Sequence, residues 1–147
     1  RWPEGDREVA EFIERERLRD HVRLLPRFTQ AEAPGLYRRA HVLLHPKYKD
    51  PCPTVPIEAM ACGVPVVGSR SGGMPELVAL EAGRLVDVPD DWTRDHAPDA
   101  GRMAEAVCEI MPKHEEFSRA ARDRAVRCFA REAWVERHAE IFEGLVR

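Results

Sequence analysis

Asp50 and Glu58 are separated by seven residues, Pro51-Cys52-Pro53-Thr54-Val55-Pro56-Ile57. A carboxylate accepts hydrogen bonds from sugar hydroxyls and ribose diols. Two at this spacing cannot form an adjacent metal cluster, but they can grip two parts of one extended ligand. Between them, Thr54 is a good N-cap and Pro56 is tolerated in a first helical turn, so a helix is predicted to start there. A helix start presents unpaired N–H groups and about half a positive charge, which suits phosphate. Gly72-Gly73-Met74-Pro75-Glu76 predicts a second helix start close behind, and its paired glycines let a ligand approach the backbone closely. Lys47, Lys49 and Arg70 supply positive charge nearby.

Each of these residues also has a plainer reading. Glu58 can simply complement a helix dipole. Asp50 can be a turn residue before Pro51, and the glycines can be turn chemistry. The three cations can be solvated, Cys52 and Cys62 read as packing thiols, and His45 reads as a structural histidine.

The elements that must position these groups follow from pattern. A helical stripe of Val9, Phe12, Ile13 and Leu18 predicts a helix over Asp6 to Arg19. Val22 to Leu25 reads as a short strand ended by Pro26. Ala31 to Ala40 reads as a helix with Leu36 and Tyr37 inward. His41 to His45 is an apolar strand of the kind found in covered parallel sheets. Gly63 sits where a C-terminal helix glycine belongs, and Val64 to Gly68 is the next buried strand. Met74 to Leu80 is a short helix, Gly83 to Val88 alternates like an edge strand, and residues 89–98 are an acidic loop with a Trp. Helices then run over Gly101 to Met111 (burying Met103, Val107, Ile110 and Met111), Glu115 to Phe129 and Glu132 to Val146. The last carries an apolar stripe with Trp134, Ile141 and Phe142 expected in the core. Alternating strands and helices followed by a helical tail predict an α/β fold: a Rossmann-like parallel sheet with helices on both faces. Ligands of such sheets sit at the carboxyl ends of the strands, here after His45 and Gly68.

Composition excludes several classes. The 147 residues are 44% hydrophobic and 33% charged, as in an ordinary globular domain. A net charge of -3 gives no basic field for nucleic acid. Cys52, Cys62, Cys108 and Cys128 form no CxxC pair, which predicts free, reduced, mostly buried thiols and a cytoplasmic protein, soluble or peripheral at the inner face of the membrane. No apolar run approaches a membrane span.

The stretch from Asp50 to Val67 resembles the donor-site motif of retaining GT-B glycosyltransferases of family GT4, and Ser71-Gly72-Gly73-Met74-Pro75-Glu76 resembles the glycine turn that follows it. The resemblance covers residues 1–147 as the later part of the family's C-terminal, nucleotide-sugar-binding domain. It implies a donor site in which Asp50 and Glu58 are the catalytic-site pair. Glu58 matches the acid that binds the donor ribose. Asp50 matches the acid on the donor sugar, where the family usually has Glu. Cys52, Pro53 and Thr54 match the loop whose backbone lines sugar and phosphates; Pro53 has no N–H to donate, which leaves Thr54 and Val55 as the better donors. The family reaction needs no metal and no cofactor, and its substrate is a nucleotide-diphosphate sugar; the acceptor (sugar, lipid or small molecule) stays open. The rivals are another GT-B enzyme, such as a nucleotide-sugar epimerase or phosphorylase, and a non-catalytic nucleotide-sugar-binding module.

Against the family pattern, the chain reads as a fragment without the acceptor domain and the opening strands of the donor domain. Weak donor binding and no sugar transfer by the isolated chain are expected. The strand at Val22–Leu25 would then be unpaired, an association hazard covered by the missing segment or by a neighbouring chain.

Overall fold

The computed structural model describes residues 3–145; the expected polar start at Arg1 and Trp2 and the last helical residue, Val146, lie outside them. The chain divides into two compact units, Arg1–Gln30 and Ala31–Arg147.

The first unit is one helix and an extended tail. Helix α1 spans Pro3–Arg15. It ends through Arg17, whose φ of 57° is left-handed, while Leu18 N–H bonds back to Ile13 O at 2.8 Å and Arg17 N–H to Glu14 O at 3.1 Å. That double closure satisfies two terminal carbonyls without a glycine. The stripe is only partly covered: Ile13 is buried, but Val9 and Phe12 are exposed. The strand expected at Val22–Leu25 does not form. Its residues are irregular, and Val22, Leu24 and Leu25 are exposed. A strand exists only through its ladder, and no described strand pairs with this one.

The second unit is an open α/β sandwich. After α2 (Ala33–Tyr37), strand β1 (Leu43–His45) leads into α3 (Thr54–Ala61). Then follow β2 (Val66–Ser69), α4 (Met74–Leu77) and β3 (Gly83–Val86). The helical tail is α5 (Ala100–Ile110), a short 3-10 turn, α6 (His114–Phe129) and α7 (Arg131–Leu145). The three strands lie parallel in the order β1-β2-β3, with Leu43 opposite Val66 and Val66 opposite Gly83. Successive residues of β2 point to opposite faces, so Val66 joins Met60, Met74, Leu77 and Ala121 on one side. Val67 joins Met103, Ala106, Ile110 and Phe117 on the other. β2 is therefore wholly buried, as the apolar run predicts. The fold class is the one expected, with β1, β2, β3, α2 and α4 shorter than drawn from pattern and α5, α6 and α7 close to it.

Some expectations fail here for tertiary reasons. Leu44 is exposed and no described strand lies beyond β1, so β1 is an open edge. Met111 is exposed because the chain has already left α5 for the 3-10 turn. The α7 stripe is not core: Trp134, Val135, Ile141, Phe142 and Leu145 are all exposed. An amphipathic face buries only when an element packs along its length, and these side chains stay open. The thiols are free, but Cys52, Cys108 and Cys128 are exposed and Cys62 is half-buried, so Cys52 is no packing thiol.

α3 is fixed at its far end. Gly63 adopts φ 75°, with its N–H on Met60 O and that of Val64 on Ala59 O, both at 2.9 Å. This is the glycine-terminated stop that the sequence predicts. The Arg122 guanidinium adds a bond to Ala61 O.

Candidate functional site

The loop from Pro46 to Pro53 leaves the carboxyl end of β1 and runs into α3. Pro53, not Thr54, is the cap residue, with φ -69° and ψ 123°. It has no side-chain oxygen to offer, so the cap carries no side-chain hydrogen bond. Thr54 is instead the first helical residue. Its N–H and that of Val55 have no acceptor among the described residues, and both residues are exposed. Pro56 is buried and brings no N–H. The helix therefore turns two free donors and its positive end toward solvent beside the end of β1.

Asp50 stands before this start. Its carboxylate is 3.1 Å from Lys47 Nζ and 3.4 Å from His45 Nε2, and its side chain is only 14% exposed. His45 Nε2 is buried and makes no hydrogen bond of good geometry, so it faces Asp50 without being satisfied by it. Glu58 lies four residues after Thr54 on α3, on the same helical face. Tyr37 Oη donates to Glu58 Oε2 at 2.9 Å. Burial, then the hydrogen bond to Glu58, then that carboxylate's charge push the Tyr37 phenol up to about 12, so it stays a donor. The sequence gives no sign of this contact beyond an inward-facing Tyr37. Glu58 itself is exposed.

The second glycine turn does something other than expected. Gly73 N–H donates to Asp50 O at 2.9 Å, and Met74 N–H to Ser71 O at 3.3 Å. A Cβ on Gly72, whose φ is 57°, would run into the carbonyl of Asp50, and one on Gly73 into that of Pro51. The close approach that these glycines allow is of one loop to another. The start of α4 is thus spent on holding the Asp50–Pro51 backbone, and Ser71 Oγ adds a bond from Lys49 N–H at 2.9 Å.

The three cations are all engaged. Lys47 pairs with Asp50. Arg70 pairs with Asp87 at 2.7 Å. Lys49, at a left-handed φ of 46°, sends its ammonium under Trp92, 3.4 Å from the ring centroid and 2.7 Å from Asp90 Oδ1. That Nζ is buried, and Asp90 approaches it at an angle that makes no hydrogen bond. Beside these residues opens a cavity of about 660 Å³ at the ends of β2 and β3, lined in part by Lys49, Pro51, Arg70, Gly73 and Trp92. Among the described residues no group of three or more His, Cys, Asp and Glu could hold a metal ion. None of their helices is long and apolar enough to cross a membrane.

Comparison with known proteins bears on this arrangement. The model of the family described as glycosyl transferases group 1 matches residues 3–97. A D-inositol 3-phosphate glycosyltransferase of Salinispora tropica is 42% identical over 93 residues, which cover 59% of this chain and 19% of that protein. The chain thus spans about a fifth of the length of the curated relatives it matches. Among solved structures, sucrose-phosphate synthase from Thermosynechococcus elongatus superposes with a TM-score of 0.78 at 27% identity, over 95% of this chain and 34% of that one. HepE of Anabaena, in complex with UDP-glucose, superposes with a TM-score of 0.78 at 23% identity, over 97% and 38%.

Proposed function

The chain belongs to the glycosyl transferases group 1 family, and from that premise we propose that it is the donor-binding part of a retaining glycosyltransferase acting on a nucleotide-diphosphate sugar. One observation carries the reading: the free N–H groups of Thr54 and Val55 lie between Asp50 and Glu58, at the carboxyl end of a parallel strand. The diphosphate sits on those two donors and the helix dipole. Glu58 accepts from the ribose diol with the oxygen that Tyr37 leaves open. Asp50 reaches the transferred sugar, and the loop from Cys52 to Pro53 lines it.

The expected role of Gly72 and Gly73 narrows to support. They hold the loop that carries Asp50, so their part in donor binding is indirect. Lys47, whose own side chain is 64% exposed, turns from Asp50 toward phosphate.

In the proposed reaction the bond from the sugar's anomeric carbon to the diphosphate breaks, and the acceptor oxygen bonds that carbon from the same face. The departing diphosphate's charge is met by the α3 start and basic residues, with no metal needed. The name of the Salinispora relative suggests an inositol phosphate as acceptor class, and the HepE complex suggests a uridine nucleotide as donor.

Calorimetry with UDP-glucose and GDP-mannose on the protein and on its Glu58→Gln variant tests this. The variant is expected to lose at least tenfold in affinity, the equivalent of about 1.4 kcal/mol. Equal affinity in both would overturn the role of Glu58, and no binding by the unaltered protein would overturn the donor reading.

A further inference from the structure

We propose that the cavity beside Trp92 is a second carbohydrate site, one that takes a pyranose carrying no nucleotide. Trp92 is 85% exposed, an extreme for the largest apolar side chain. One face of its ring rests on the buried Lys49 ammonium at 3.4 Å, and the other face is open. This ring is not carried on slack chain. Tyr48 Oη bonds Pro89 O at 2.7 Å and Asp91 O at 2.8 Å, and it also accepts from Asp91 N–H at 2.8 Å. The Asp91 carboxylate in turn gathers Thr93 N–H and His96 Nε2, each at 2.8 Å, and Arg94 Nε at 3.3 Å. The loop on both sides of Trp92 is therefore built, and the indole is presented at a fixed height above the cavity.

A flat, preorganised indole face binds the apolar C–H face of a pyranose, because it offers area at little entropic cost. The hydroxyls at the sugar's rim need acceptors and donors. Glu76 and Asp90 supply the carboxylates, and Arg70 supplies a guanidinium, all around the same cavity of about 660 Å³. That volume suits one or two sugar rings and falls in the usual range of small-molecule sites. The left-handed Lys49 gains a purpose in this reading. Its backbone conformation is uncommon for a bulky side chain, and it is what points the ammonium beneath the ring instead of toward Asp50. The site adjoins the donor crevice across the Asp50–Pro51 loop, of which Pro51 lines the cavity. It lies at the ends of β2 and β3, while Thr54 and Glu58 lie on α3 beyond the end of β1.

Saturation-transfer NMR with methyl glucopyranoside and methyl mannopyranoside at millimolar concentration tests the proposal. Saturation is expected to reach the ring C–H protons of at least one sugar in the unaltered protein. It is expected to fall at least fivefold in Trp92→Ala, to persist in Trp92→Phe, and to be unchanged in Glu58→Gln. No transfer in the unaltered protein overturns the site, as does transfer undiminished in Trp92→Ala. Equal loss in Trp92→Phe and Trp92→Ala overturns stacking, and equal loss in Glu58→Gln assigns the sugar to the donor crevice instead. A protein that binds no nucleotide sugar but shows Trp92-dependent transfer would overturn the donor reading and leave this one standing.

Discussion

α3 and α4 begin alike. Each follows the carboxyl end of a parallel strand, each has a proline in its first turn, and each is preceded by small or rigid residues. Their uses differ completely. The start of α3 leaves the N–H groups of Thr54 and Val55 open, while that of α4 gives its donors to Asp50 O and Ser71 O. The difference comes from what lies in front of each. Pro53 is extended and carries the chain away from the helix axis, so nothing covers the first turn of α3. In front of α4 lies the Asp50–Pro51 backbone, close enough to exclude a Cβ. One helix start is left open, and its neighbour is the buttress that keeps it so.

The sharpest way to break that division is at the buttress. Gly73→Ala places a methyl group against Pro51 O and is expected to cost about 3 kcal/mol of stability or more, read by urea denaturation. Donor affinity is expected to fall with it although Gly73 offers no free N–H; unchanged stability would show that the loops part easily. The open start is tested more gently by Thr54→Pro. Proline suits a first helical position and Pro53 already has the extended backbone that a following proline needs. One donor disappears while the helix stays, so nucleotide-sugar affinity is expected to drop about tenfold with an unchanged melting temperature, as suits one lost hydrogen bond to a charged group. An unaltered affinity would remove the Thr54 amide from the site.

Ser71→Ala removes the hydroxyl that accepts from Lys49 N–H and bonds Ser69 Oγ at 2.8 Å. About 1 kcal/mol of stability should go, by denaturant midpoint, with a smaller loss of donor affinity. The smallest effect is a titration. The Tyr37 phenol is expected to ionise near 12 by NMR of labelled tyrosine, and lower in Glu58→Gln, though burial keeps part of the rise. Because its folded value lies above the usual 10.0, its contribution to stability is present below pH 10 and is lost as pH climbs through 12. A Tyr37 titration indifferent to Glu58 would mean that the two do not meet in solution.

Much of α3 and its surroundings was legible because its signals are local. A proline-framed start, an acid one turn in and a terminal glycine all act within a few residues of one another. What stayed hidden depends on distant partners. Val22–Leu25 has the composition of a strand but no ladder, and the α7 stripe has the period of a core helix but stays open. The double glycine reads as a ligand approach from sequence, because nothing in residues 71–76 tells that residues 50 and 51 will occupy that space. Trp92 looks like an incidental residue of an acidic loop until Lys49, far back in the chain, is found beneath it.

Tyr48 has one hydroxyl proton, yet its oxygen meets two carbonyls and one amide of the same loop. The two carbonyls must therefore share that proton, and the amide of Asp91 must use the oxygen's lone pair. Such an arrangement makes a three-way clamp at one atom: Pro89 O, Asp91 O and Asp91 N–H are all held to the residue before Lys49. The loop that carries the indole and the segment that carries Asp50 are thereby tied through a single oxygen. Hydrogen exchange at Asp91 N–H would report on that tie, and is expected to speed up in Tyr48→Phe.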